Sequence, residues 1–97
     1  MYLYMKFEWD ENKNTINKQK HGLDFETAAL VFNDERRIEI YDVEHSTEED
    51  RYNTIGLVKD VLFVVYTERR EKIRLISARL ATPTERSIYY DQDLYIG

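Results

Sequence analysis

The chain contains no cysteine, which rules out disulfide bonds and thiolate-bound metal. That fits a reducing compartment, and a cytoplasmic location is expected. Histidine is nearly as scarce, with two in 97 residues. Zinc sites usually draw three or four protein ligands, so no metal and no cofactor is expected. Three glycines and one proline leave no flexible linker, and one domain spanning 1–97 is expected. No apolar run approaches the ~20 residues of a membrane helix. Met1 to Lys6 is too short an apolar stretch for a signal peptide. Basic residues are outnumbered 14 to 19, for a net charge of -5. Such a balance argues against a surface that coats nucleic acid indiscriminately.

What is present is unevenly placed. Glu44, Glu48, Glu49 and Asp50 crowd one stretch, while Arg69, Arg70, Lys72, Arg74 and Arg79 fall within another. Eight tyrosines are many for this length. They suit half-buried strands, and also wet interfaces and base stacking.

Local signals set the element order. Met5 to Trp9 alternates as a short strand. Asp10 caps a polar helix running to about Lys20, and Gly22 stands at its C′ position. Asp24 caps a second helix whose Phe25, Ala28, Ala29 and Phe32 recur at helical spacing. Strands are expected at 37–41, 51–58, 61–67 and 73–80, with Glu68 to Glu71 as a hairpin turn. Val61 to Thr67 is almost wholly apolar, as for a central strand covered on both faces. Thr82, Pro83 and Glu85 form a capping box that opens a last helix to about Tyr90, with 91–97 an unassigned tail. That helix has a thin apolar stripe, Ile88 with Tyr89, and is expected to dock on a partner. The order is β-α-α-β-β-β(-β)-α, the bracketed strand vanishing if the middle pair is one bent strand. An α+β fold of two layers follows, with helices on one face of an antiparallel sheet.

Three clusters carry candidate chemistry. His21 beside Lys20 ends the first helix, where the dipole favours an imidazolium and hence a general acid, or where both simply cap carbonyls. His45 lies with Ser46, Glu48, Glu49 and Arg51. No nucleophile elbow accompanies it and too few ligands surround it, so an acidic solvated loop is the favoured reading. Tyr66 lies on a strand that pairs with the one bearing Arg74 and Arg79. These arginines have opposite parity and face opposite sides unless a bulge intervenes. A Tyr–Arg pair there is either a stacking platform with a phosphate clamp or ordinary cross-strand packing.

Taken in order, several blocks resemble one family, the BrnT toxins of type II toxin–antitoxin modules. They are F-E-W-D at Phe7 to Asp10, N-K-Q-K-H-G-L-D-F at Asn17 to Phe25, and H-S at His45 and Ser46 followed by Glu49, Arg51 and Tyr52. V-V-Y-T-E-R at Val64 to Arg69, I-R-L-I-S-A-R-L-A at Ile73 to Ala81, and Glu85 with Arg86 complete them. The resemblance covers about residues 5–90. It implies a RelE-like fold and a metal-independent endoribonuclease that cleaves RNA and inhibits translation. It also implies a cognate BrnA-like DNA-binding antitoxin, through which alone operator DNA would be contacted. The matching polar positions are Lys20, His21, Glu49, Arg51, Arg74, Arg79, Glu85 and Arg86. Among them we read His21, Glu49, Arg51 and Arg79 as the expected catalytic residues, and Lys20, Arg74 and Arg86, with Tyr66 from its strand pairing, as the expected RNA contacts. Arg79 and Arg51 would stabilise the charged transition state, with His21 or Glu49 as acid or base. A second reading is a non-catalytic protein-binding module acting through its acidic, tyrosine-rich surface.

Overall fold

The computed structural model describes residues 5–92, so most of the unassigned tail lies outside the described residues. The elements are β1 (Lys6–Glu8), α1 (Glu11–His21), α2 (Phe25–Ala29) running into a 3-10 turn (Leu30–Asn33), β2 (Ile38–Tyr41), β3 (Arg51–Leu57), β4 (Val61–Arg69), β5 (Lys72–Leu80) and α3 (Pro83–Tyr90). Their ends follow from side-chain chemistry. Asp10 accepts from the amides of Asn12 and Lys13 to start α1, and Gly22, at φ 71°, stops it. Thr82 and Glu85 satisfy each other's amides at the head of α3.

The sheet has the order β1-β5-β4-β3-β2. β2 to β5 are antiparallel neighbours, but β1 runs parallel to β5, pairing Lys6 to Glu8 with Lys72 to Arg74. The expected antiparallel sheet is therefore corrected to a mixed one. Hairpin lengths govern β2 to β5, whereas β1 is joined to β5 only through the rest of the chain and takes its free edge. Beyond β1 that edge is closed by a side chain. The buried Asn17 amide donates to the carbonyls of Ala78 (2.8 Å) and Leu23 (2.9 Å) and accepts from the Ala78 amide (3.1 Å). It replaces the strand peptide that Ala78 lacks.

β4 is covered on both sides, and the two sides differ. Leu62, Val64 and Tyr66 pack against Phe25, Ala28, Val31 and Phe32 of the α2 layer. Here β3 approaches the 3-10 turn closely: a Cβ on Gly56 would lie 2.3 Å from Val31 Cγ2. On the opposite side Val61 and Ile55 pack with Tyr89 of α3, and Phe63 and Ile38 lie against them. Helices thus flank both faces, correcting the expectation of one helical layer. Tyr89 is the reason. Its ring is 4% exposed, and its hydroxyl donates to Asp34 Oδ2 at 2.5 Å. Burial and that carboxylate push the phenol up to about 12. α3 is therefore anchored on its own domain, with Ile88 left 45% exposed.

Two irregularities shape the β4–β5 hairpin. The register slips between Val65, opposite Ser77, and Tyr66, opposite Leu75, leaving Ile76 as an extra residue in β5. At the turn, Arg70 and Glu71 have φ of 49° and 68°, a left-handed pair that favours Asn-Gly. Arg70→Asn combined with Glu71→Gly is expected to stabilise the fold by about 1–2 kcal/mol. Thermal unfolding checks this, and an unchanged or lower Tm would show that the turn stores no strain.

Candidate functional site

The bulge decides what the α3 side of the sheet displays. Arg74 pairs with Thr67 and Arg79 with Phe63, so the slip brings two residues of opposite parity to one face. Arg51 of β3 lies opposite Thr67 and joins them. Arg51, Thr67 and Arg74 form one cross-strand row, placing the two arginine backbones about 10 Å apart, two strand spacings. Arg79 stands nearer α3, its guanidinium 4.2 Å from the Phe63 ring centroid.

Most of these cations are already oriented by carboxylates. Arg74 donates to Glu8 at 2.7 Å. Arg79 makes a forked pair with Glu85 at 2.7 and 3.0 Å. Arg69 does the same to Glu49 at 3.0 and 3.1 Å. The hydrogen bond from Arg69 holds the Glu49 carboxyl below its ordinary range, helped by the charges of Arg69, Arg51 and Arg74. Glu85 is lowered chiefly by Arg79, against partial burial. The Arg51 guanidinium makes no hydrogen bond or ion pair among the described residues.

Beside the row lies an open cleft of about 360 Å³. Strand residues Arg51, Asn53, Phe63, Val65, Ile76 and Ser77 line it together with Asp42, Glu44 and His45 of the segment between β2 and β3. The loop carrying His45 is firmly tied down. The Asp42 amide donates to the Arg51 carbonyl, Ser46 Oγ donates to the Asp42 carbonyl at 2.6 Å, and the Arg51 amide donates to Ser46 Oγ. Tyr41 and Thr67 hydroxyls donate to Asp50 at its far end. His45 Nδ1 lies 2.8 Å from Asp42 Oδ2. Burial opposes ionisation of Asp42, but the hydrogen bonds and charge of His45 outweigh it and hold the carboxyl low. Asn53 Oδ1 is buried without a hydrogen-bond partner among the described residues.

The residues expected from the sequence separate into four groups. Glu49, Arg51, Arg74 and Arg79 meet on or beside this face. His21 and Lys20 do not: they end α1, which docks on the edge of β5 through Asn17. Tyr66 is corrected outright as an RNA-stacking ring. It is 1% exposed on the α2 side, stacked on Tyr52 and against Phe32, and its hydroxyl donates to Glu39. The alternating pattern places it in the core because Leu62 and Val64 share its face. Arg86 is exposed on α3, 5.8 Å from the Tyr90 ring centroid. His45, read from the sequence as part of an acidic solvated loop, is paired with Asp42, which the sequence reading does not single out; the signal is their three-residue spacing, which lets one loop turn bring carboxylate to imidazole. Among the described residues no group of three or more His, Asp or Glu side chains is placed to hold a metal ion.

Comparison with known proteins adds the following. The family model described as "ribonuclease toxin, BrnT, of type II toxin-antitoxin system" matches residues 9–85. The crystal structure of the Brucella abortus ribonuclease toxin BrnT is similar, with 28% identity and a TM-score of 0.59 over 80% of this chain and 97% of that one. No curated protein sequence matches significantly. None of the helices in the described residues is long and apolar enough to cross a membrane.

The Arg79–Glu85 pair has a pH signature. A carboxyl lowered from 4.5 on folding contributes stability that is fully present above that value and lost as pH falls through the lower folded value. Glu85→Gln keeps the capping geometry but removes the charge. Its Tm at neutral pH is expected to fall by an amount worth less than about 1 kcal/mol. Its acid sensitivity between about pH 5 and 3 is expected to be shallower than that of the unmodified chain. Parallel Tm–pH curves for the two proteins would contradict the assignment.

Proposed function

Because the chain belongs to the BrnT family of ribonuclease toxins of type II toxin–antitoxin systems, we propose that it is a metal-independent endoribonuclease acting at the arginine-lined face. On this reading the arrangement is RelE-like, the protein is cytoplasmic, and its cleavage of RNA inhibits translation. The observation that carries it is the convergence of Arg51, Arg74 and Arg79 on one face beside a walled cleft. Guanidinium groups suit phosphate because a planar fork donates to two oxygens at once.

RNA supplies its own nucleophile, the 2′-hydroxyl. Attack on the neighbouring phosphorus builds negative charge on the non-bridging oxygens, and preorganised cations lower that barrier. Arg51, free of a carboxylate partner, and Arg79, held over Phe63, are placed for that role. Arg74 grips a flanking phosphate. A forked pair occupies only part of the five donors of a guanidinium, so Arg79 retains capacity for phosphate while bound to Glu85. Glu49, held ionised by Arg69, is no proton donor at neutral pH and orients Arg69 instead. Lys20 and His21 lie away from this face and are not assigned a step; Arg86, on α3, extends the basic rim. A toxin of such a module has an antitoxin partner, for which a BrnA-type DNA-binding protein is proposed, with operator DNA reached only through it.

Inducing the chain alone in a bacterial host is expected to arrest growth and create new RNA ends. Arg51→Ala and Arg79→Ala should each lower cleavage by about 10²–10³-fold, while His21→Ala should remain toxic. Full toxicity of both arginine variants would overturn the site. Normal growth and intact RNA from a soluble product would favour a binding module.

A further inference from the structure

Resting on the ribonuclease reading, we infer that His45 is the general base of the reaction and Asp42 its positioning residue. Three observations carry this. His45 Nδ1 is hydrogen-bonded to Asp42 Oδ2 at 2.8 Å, while Asp42 Oδ1 accepts from the His45 amide at 3.3 Å. That contact fixes the tautomer with the proton on Nδ1, leaving the Nε2 lone pair for another group. The His45 side chain is 62% exposed and lines the cleft next to Arg51. Finally, the loop is tied at Asp42, Ser46 and Asp50, so the imidazole is held on a fixed support.

The charged groups around His45 are few. Its own loop contributes Asp42 and Glu44, and β3 contributes Arg51; the β4 and β5 residues lining the cleft are uncharged. Of the two histidines in the chain, this is the one that shares a cleft with an unpaired arginine, whereas His21 is on α1.

The step balances without a co-reactant. Nε2 takes the proton of the 2′-hydroxyl as the 2′-oxygen bonds to phosphorus. The bond from phosphorus to the 5′-oxygen breaks, leaving a 2′,3′-cyclic phosphate. The departing 5′-oxygen takes a proton from water, and the imidazolium returns its proton to the hydroxide so formed. Arg51 faces the charge that gathers on phosphorus oxygens, and the Asp42 carboxylate stabilises the imidazolium. The substrate class is thus RNA with an intact 2′-hydroxyl at the cut.

The test uses the purified full chain on bacterial messenger RNA in a cell-free translation mixture, so that both free and ribosome-bound RNA are offered. His45→Ala and His45→Gln should lower cleavage by about 10²–10⁴-fold, with the fold checked by thermal unfolding and RNA binding retained. Added imidazole should restore part of the His45→Ala activity. On purified RNA Asp42→Asn should lower kcat with little change in KM. Cleavage by His45→Ala at the unmodified rate would overturn the inference while leaving the ribonuclease reading intact. No cleavage by the unmodified chain would overturn both.

Discussion

One extra residue in β5 governs what this protein can do. Ile76 has no partner on β4, and the slip it creates carries Arg79 to the same side as Arg74. In an unbroken ladder one of them would point into the α2 layer, among Phe25, Phe32 and Val64. An unpaired guanidinium is very costly in such surroundings. The bulge gives up a regular ladder position and in return segregates charge from core. Everything assigned to the α3 face rests on that slip: the arginine row, the stacking of Arg79 on Phe63, and the cleft beside Ser77.

The same face shows how an acidic chain can handle a polyanion. Net charge describes the whole molecule, while recognition is decided over the few ångströms around each phosphate. Glu8 orients Arg74, Glu49 orients Arg69 and Glu85 orients Arg79, fixing these guanidinium groups before any ligand arrives. The acidic stretch from Glu44 to Asp50 is not a solvated bystander. Its backbone and hydroxyl contacts brace the strand ends, and Asp42 just ahead of it aims His45. Non-specific attraction is given up, and placement of a few charges is retained.

Much of the fold was legible because its signals are local. Asp10, Gly22 and the Thr82–Glu85 box mark helix ends through contacts within four residues, and each stands where the residues place it. What escaped depends on distant partners. The parallel seat of β1 is settled by which sheet edge remains free. The side chosen by α3 is settled by Asp34, 55 residues from Tyr89. In the N-K-Q-K-H-G run the conspicuous chemistry is that of Lys20 and His21. The residue of that run that organises the structure is Asn17, and its partner Ala78 is 61 positions away. Tyr66 differs, because its shared parity with Leu62 and Val64 is itself a local sign of burial, while its hydroxyl partner Glu39 lies 27 residues upstream. The candidate site was legible in part: alternation left Arg74 and Arg79 on opposite faces barring a bulge, and nothing local announces that bulge.

On the reading proposed above, RNA engages the arginine face of the sheet and not the end of α1. Backbone amide NMR during titration with a short RNA, 2′-O-methylated to prevent cleavage, separates the two. Perturbations confined to Arg51, Asn53, Val65, Arg74, Ser77, Arg79 and the His45 loop are the expected result. Perturbations centred on Lys20, His21 and Gly22, with that face unmoved, would contradict it.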